Sequence, residues 1–207
     1  MKTFQLASAA LASVLLLASC GKESPTPPVA TPATPATATA KGKGEAGAVS
    51  VAAIEAEGKG FTVGSPMSVR TVYVFFDAQC PHCGALWESA KPLKSQAKFI
   101  WMPVSLLNPQ STSQGAAILA AKDPVATMDA HEVSLMAKQG GMTVTGDNDA
   151  QKAIVAQNTK LFNRFGFASI PTIVATNAQT GALVSREGAL GTPELAALLG
   201  LQAPTGK

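Results

Sequence analysis

A predicted strand, a pair of cysteines and a predicted helix follow one another directly, and this order constrains the fold most. Residues 69–76 (VRTVYVFF) are β-branched and aromatic without a breaker, which predicts a strand buried on both faces. Cys80 and Cys83 follow, with Pro81 and His82 between them. A proline suits the first helical position, and apolar residues then recur at helical spacing. The cysteines are therefore expected where a helix begins.

The remainder of this region predicts the order strand, helical block, β-hairpin and helix. The helix after the cysteines should bend or end at Pro92. Beyond it, the predicted elements are a strand at 99–107, helices at 113–122, 124–139 and 150–165, strands at 170–174 and 182–186 around a turn at 177–181, and a last helix capped by Thr192 with Pro193 at its first position.

The first residues predict a secretory signal. Lys2 precedes the apolar stretch 4–17, which is too short to span a bilayer comfortably. Residues 17–21 (LASCG) resemble the bacterial lipobox, in which a cysteine is diacylated and becomes the new N-terminus. The resemblance implies a lipoprotein signal peptide at 1–19 and lipidation at Cys20. Gly21 then implies sorting to the outer membrane. The alternative is an ordinary signal peptide that carries a cysteine at its cleavage site.

Composition separates a spacer from one folded domain. Residues 20–48 are rich in Pro, Ala and Thr and offer almost nothing to bury, which predicts a disordered stalk. Residues 49–205 suit one domain with a single core. The formal net charge of +3 is too small to indicate nucleic-acid binding, and basic clusters are absent from the sequence.

The two remaining cysteines suit redox chemistry better than a structural disulfide bond. A bridge across two residues removes little entropy from the unfolded chain. Thiol-disulfide exchange needs an accessible thiolate, and a helix N-terminus favours the anion of Cys80. Pro81 and His82 are the candidate residues that tune its pKa, since a protonated imidazole beside the sulfur would favour the thiolate. Cys83, one turn into the helix, is the candidate resolving thiol.

Three features resemble the thioredoxin superfamily in order and spacing. They are the tetrapeptide Cys-Pro-His-Cys at 80–83, Ile170-Pro171-Thr172 after the helical block, and the tail 188–199. The inserted helices resemble its periplasmic disulfide-bond (Dsb) branch. Phe76-Asp77 is similar to the DsbC and DsbG group, whereas the tetrapeptide resembles DsbA. The resemblance covers about 69–199 and implies an α/β, thioredoxin-like fold with a helical insertion at about 111–167.

This resemblance also implies an activity and further site residues. It implies a thiol-disulfide oxidoreductase in which Pro171 is cis and faces the cysteine pair. Ile170 would then present its backbone to an extended substrate, although DsbC and DsbG carry Thr there. The acid commonly buried behind the pair would fall at Val74, so another group or water must accept the proton of the resolving thiol. Asp77 is nearer, and it either serves this pair or caps the turn.

The partners implied by the resemblance are periplasmic proteins with thiols or disulfides, and a membrane redox partner. No cofactor is expected beyond the redox-active disulfide Cys80–Cys83. DsbC and DsbG carry an upstream dimerisation domain, and residues 49–68 are too few for one, so a monomer is expected. His131 lies in the helical block without a partner motif and receives no role. The direction of electron flow stays open.

Two other functions compete with this interpretation. Cys80, Cys83 and His82 with Met102 or Met142 could bind copper or zinc, although a closed zinc site needs four ligands and the sequence offers few. A non-catalytic binding lipoprotein could use the fold only as a scaffold. Retention of both cysteines favours the redox function.

Overall fold

A five-stranded mixed sheet forms the centre of residues 47–204, the part of the chain that the computed structural model describes. The strand order is β1-β3-β2-β4-β5; β2 and β3 are parallel, and the other neighbours are antiparallel. The strands are β1 (Phe61–Gly64), β2 (Thr71–Asp77), β3 (Lys98–Val104), β4 (Thr172–Thr176) and β5 (Leu183–Glu187).

Helices precede, cover and follow this sheet. Three of them are inserted between β3 and β4, as the sequence predicts. The helices are α1 (Val51–Glu57), α2 (Pro81–Ala90) with a short 3₁₀ helix at Lys91–Leu93, the inserted α3 (Pro109–Ala120), α4 (Pro124–Met136) and α5 (Asp149–Arg164), and finally α6 (Thr192–Leu199). The prediction of an α/β fold with a helical insertion is confirmed.

Strand β2 has both faces buried, as its apolar run predicts. Val74 points into a cluster that contains residues from α2, α4 and α6. Phe75 points into the opposite cluster, with residues from α1 and α5. Successive side chains of a strand point to opposite faces, so a strand between two apolar layers needs apolar residues at every position. The end of β2 is therefore held from both sides.

The chain upstream of β2 is more ordered than the sequence analysis predicts. Helix α1 begins after Ser50, whose hydroxyl accepts a hydrogen bond from the backbone N–H of Ala53. Strand β1 then pairs with β3 in the antiparallel sense, with Phe61 opposite Trp101. Phe61 and Val63 are buried while Thr62 is exposed. This alternation identifies an edge strand that covers the core with one face.

Several predicted boundaries are wrong by two to four residues: β2 begins at Thr71, α3 at Pro109 and β4 at Thr172, and α4 ends at Met136. At two further boundaries, side chains bind the backbone. Strand β3 ends at Val104 rather than 107, since the following N–H groups donate to Asp77 instead of a neighbouring strand. Helix α6 is capped by Gly191 rather than Thr192. The hydroxyl of Thr192 donates to the carbonyl of Ser89, 2.9 Å away, and so ties α6 to α2.

The inserted helix α4 is fastened to α2 by polar contacts at one place. The indole N–H of Trp87 donates to Asp129, with 2.7 Å between nitrogen and oxygen. The ammonium of Lys91 also lies 2.7 Å from that carboxylate. Trp87 itself is buried and meets Trp101 edge to face. The cysteine helix and the insertion are therefore in direct contact.

The predicted signal peptide, Cys20 and the Pro-rich stalk lie outside the described residues. Within residues 47–204, none of the helices combines the length and apolar character needed to cross a bilayer.

Candidate active site

The cysteine pair lies at the start of α2. Cys80 is the N-cap residue with extended backbone, and Pro81 is the first residue of the helix. Both cysteines are free thiols. Cys80 keeps 5% of its surface exposed, whereas Cys83 is fully buried. The structure therefore places the pair as the sequence predicts, with the first sulfur nearer the surface.

The two thiols differ in acidity. The hydrogen bond from the Cys83 thiol is the largest cause that lowers the pKa of Cys80 to about 7. Burial and the charge of Asp77 oppose this, whereas the backbone N–H groups of Cys83 and His82 support it. Burial is the main cause that raises the pKa of Cys83 well above its ordinary value. At neutral pH Cys80 can act as the nucleophile while Cys83 keeps its proton.

The residues between the cysteines are both exposed. Pro81 opens the helix, which sets the direction of the N–H groups at its first turn. His82 acts on the pKa of Cys80 through its backbone N–H. A contribution from its imidazole stays a prediction.

The loop before β4 faces the first cysteine. The Ile170–Pro171 peptide bond is cis. The sulfur of Cys80 lies 3.9 Å from the carbonyl oxygen of Ile170. Pro171 is buried, and Ile170 is partly exposed. The structure thus brings together the predicted substrate-binding residues and the predicted nucleophile, although a role in substrate binding stays a prediction.

Asp77 caps the turn between β2 and the cysteines. Its carboxylate is fully buried and accepts hydrogen bonds from the backbone N–H groups of Gln79, Leu106 and Leu107, at 2.9, 2.7 and 3.1 Å. Three backbone donors therefore occupy this carboxylate. Of the two roles considered for Asp77, turn capping is the one that its contacts support.

His131 holds the same turn from the side of α4. Its Nε2 lies 2.6 Å from the carbonyl oxygen of Ala78, and its Nδ1 accepts a hydrogen bond from the N–H of Met142. These partners fix the neutral tautomer with the proton on Nε2. Burial lowers the pKa of this histidine, which favours the same state. His131 is thus a structural contact that the sequence analysis did not anticipate.

Comparisons with known proteins identify two relatives that are named thiol:disulfide interchange proteins. The chain is 33% identical to the thiol:disulfide interchange protein DsbG of Pseudomonas aeruginosa over 140 residues, which is 63% of this chain and 51% of that protein. It is also 33% identical to DsbG of Escherichia coli over 108 residues, 49% of this chain and 42% of that protein. Over these segments the chain is similar in sequence to Dsb proteins.

A solved structure agrees with the Dsb fold. DsbA2 of Pseudomonas aeruginosa superimposes with a TM-score of 0.56 at 18% identity, over 67% of this chain and 91% of that structure. No family model matches the chain. The chain spans about half the length of the DsbG proteins it matches.

One carboxylate near the cysteine pair could not be predicted from the sequence. Val74 occupies the position at which the resemblance places a buried acid, and it is buried among apolar residues. Glu132 of α4, only 3% exposed, lies instead against Gly84, the residue after Cys83. Burial is the largest cause that raises the pKa of Glu132 to about 8, and the charge of Cys80 adds to it. A buried carboxylate is therefore present, but it comes from the insertion.

Groups of three or more His, Cys, Asp or Glu side chains placed to hold one ion do not occur within residues 47–204.

Proposed function

We propose that this protein is a periplasmic thiol-disulfide oxidoreductase that exchanges disulfides with envelope proteins through Cys80 and Cys83. The observation that carries the proposal is the asymmetry of the pair. Cys80 lies at the helix start beside the Ile170 carbonyl and is the more acidic thiol, whereas Cys83 lies beneath it and keeps its proton. The two DsbG relatives, which are named thiol:disulfide interchange proteins, support the same activity.

The exchange would proceed in two displacements. The Cys80 thiolate attacks one sulfur of a client disulfide, and the other client sulfur leaves with the electron pair. Cys83 then loses its proton and attacks the Cys80 sulfur, which releases the client as a dithiol and leaves the protein as a disulfide. The protein pair is oxidised by two electrons and the client is reduced by two. The reverse sequence gives a disulfide to a client dithiol.

Cysteine variants test this proposal. Cys83→Ala should accumulate mixed disulfides with client proteins, because the second displacement is missing. Cys80→Ala should accumulate none, and the double variant is the matched control. Non-reducing electrophoresis after acid quenching gives the measurement. Selective alkylation of Cys83 rather than Cys80 at mildly acidic pH would contradict the assignment of the nucleophile.

The reduction potential of the pair would give the direction of exchange. A value near about −120 mV would place the protein with strong oxidants such as DsbA, and one near about −270 mV with thioredoxin-like reductants. Equilibration with glutathione buffers, followed by quantification of both thiols, gives this potential. A membrane redox partner is proposed to restore the active form of the pair.

We also propose a lipid anchor at Cys20 that holds the domain at the outer membrane. The LASCG segment at 17–21 supports this, and multiple acyl chains on one cysteine anchor a protein stably. Cys20→Ser should release the protein into the soluble fraction or block its processing, with the fold unchanged. Fractionation of membranes from cells that express each form is the measurement. Equal membrane retention of the variant would contradict the anchor.

The protein is proposed to act as a monomer. Residues 51–57 and 61–64 form α1 and β1 of this domain, so the segment upstream of β2 is not a separate dimerisation unit. Sedimentation of the protein should therefore show one chain.

A further inference from the structure

We propose that Glu132, supplied by the inserted helix α4, is the group that exchanges a proton with Cys83 during the second displacement. This role rests on the proposed thiol-disulfide exchange and assigns a further residue to it. Glu132 would accept the Cys83 proton when the protein pair becomes oxidised, and would return it when the pair becomes reduced.

The contacts of the carboxylate carry this inference. Both oxygens of Glu132 are buried and neither has a hydrogen-bond partner. A buried carboxylate without a partner is costly to keep, so its position calls for an explanation. Gly84 leaves room for the carboxylate, because a Cβ atom at this position would collide with the Oε2 atom of Glu132. Gly84 follows Cys83 directly, so the carboxylate lies beside the turn that carries the resolving thiol.

The charges around Glu132 link its protonation to the state of the cysteines. The charges of Cys80 and Cys83 both interact electrostatically with Glu132. The other charged groups near it are Glu88, which disfavours its ionisation, and Lys91, which favours it. A negative Cys80 thiolate therefore helps to keep Glu132 protonated. When Cys80 enters a mixed disulfide its charge disappears, and one cause of the raised pKa of Glu132 is lost. Glu132 then ionises more readily, so that it is free to accept a proton at the step where Cys83 must lose one.

A cleft gives the carboxylate a route to solvent. Its volume is about 170 Å³, enough for several water molecules. Its walls are formed by Gly84, Ala85, Glu88, Glu132, Val133 and Met136. A proton taken from Cys83 can leave through this cleft, and one can enter when the reaction runs in reverse.

The proton balance closes with a simple disulfide as substrate. Oxidised glutathione is attacked by the Cys80 thiolate, and one glutathione leaves as a thiolate that takes a proton from water. Loss of the Cys80 charge lets Glu132 release its own proton to solvent through the cleft, and Cys83 then gives its proton to the ionised Glu132 and attacks Cys80. The second glutathione leaves with the electron pair and takes a proton from water, and Glu132 returns its proton to solvent through the cleft.

Rapid mixing of the reduced protein with oxidised glutathione tests the role. Formation and resolution of the mixed disulfide are followed separately by acid quenching. Glu132→Gln should slow resolution at pH 7 by at least about tenfold, because general acid–base catalysis is lost. Formation, which depends on Cys80, should change by less than about threefold. Resolution in the wild type should level off once Glu132 is ionised, whereas in the variant it should keep rising with pH as Cys83 itself ionises.

Matched variants separate proton exchange from a structural effect. Glu132→Asp should recover part of the resolution rate, because it restores a carboxyl group. Glu55→Gln removes an exposed carboxylate of α1, which does not line this cleft, and should leave both steps within about twofold of the wild type. Gly84→Ala keeps the carboxylate but displaces it, and should slow resolution more than formation.

Infrared spectra should also show a protonated carboxyl that titrates in the reduced wild type and is absent from Glu132→Gln.

Equal resolution rates and equal pH profiles in the wild type and Glu132→Gln would overturn the role of Glu132 while leaving the exchange function intact. Failure of the wild type to form a mixed disulfide at all would instead overturn the exchange function and this role with it.

Discussion

Cys80 and Cys83 carry the same thiol group, but their positions in the fold give the two thiols different pKa values. Cys80 at the helix start receives hydrogen bonds from the Cys83 thiol and from two backbone N–H groups. Cys83 is fully buried and stands near two negative groups when Cys80 and Glu132 are ionised. The acidity of the first thiol thus depends more on its immediate hydrogen bonds than on an added cation.

We expect these hydrogen bonds to determine which of two substitutions raises the pKa of Cys80 more. His82→Leu should raise the pKa of Cys80 by less than about one unit, because the backbone N–H remains and an exposed imidazole is screened by solvent. Cys83→Ala should raise it more, since the hydrogen bond that contributes most is then removed. Ultraviolet absorbance of the thiolate as a function of pH gives both values. A larger shift in the histidine variant would show that the imidazole acts on the sulfur directly.

Among the elements, the contact between α2 and α4 has the clearest consequence for the site. Asp129 is the shared acceptor for Trp87 and Lys91 across this contact. Since α4 also carries Glu132, the packing of this helix against α2 determines where that carboxylate lies. The insertion therefore places a carboxylate against Gly84, directly beside the cysteine pair.

Substitution of Asp129 should loosen this contact. Asp129→Ala should lower the free energy of unfolding by about 1–2 kcal/mol, because the buried indole N–H loses its partner. Amide hydrogen exchange should rise in α4 more than in α5. Asp129→Asn keeps an acceptor and should cost less. Asp147→Ala, which removes an exposed carboxylate near Lys152, is the control and should be almost neutral. Unchanged exchange in α4 would show that apolar packing alone seats the helix.

Sequence patterns predicted the elements where the pattern and the environment agree. The unbroken apolar run of β2, the helix start at Pro81 and the turn around Asn177 are local signals, and the structure contains each of them. In α4 the pattern fails. His131 and Glu132 are buried there, while Val133 and Met136 are exposed. A polar buried face cannot be recognised by periodicity, so nothing in the sequence distinguished Glu132 from an ordinary surface glutamate.

Strand β1 was missed for a different reason. It has four residues, and its alternation of Phe61 and Val63 is too short to separate from chance. Its place is set by pairing with β3, which is distant in sequence. Tertiary context therefore decides this element, as it does the capping of α6 by Gly191.

For the whole molecule, Glu132 links stability to pH. Its pKa rises from an ordinary value of 4.5 to about 8 on folding, chiefly through burial. The folded state therefore holds an extra proton between these values, and the free energy of unfolding falls as pH rises from about 4.5 to about 8. Cys80 acts in the opposite sense at higher pH, between about 7 and 9, because its pKa is lowered on folding.

We expect this linkage to appear in urea unfolding of the reduced protein. Between about pH 5 and pH 7, the free energy of unfolding of the wild type should fall by about 1–3 kcal/mol more than that of Glu132→Gln. The variant has no carboxyl to titrate at this position, so its curve should be flatter. Glu55→Gln, which removes an exposed carboxylate of α1, should follow the wild type. Parallel curves for the wild type and Glu132→Gln would mean that the carboxyl ionises readily in the folded state.

The missing side chain at Gly84 limits how this redox centre can be transplanted. The Cys-Pro-His-Cys tetrapeptide can be copied into another scaffold of the same fold, but the residue after it must leave room for a carboxylate that arrives from an inserted helix 48 positions later in the chain. A graft of the tetrapeptide alone would reproduce the two sulfurs without the group beneath them. Engineering of this centre therefore has to treat the glycine and the inserted helix as one inseparable unit.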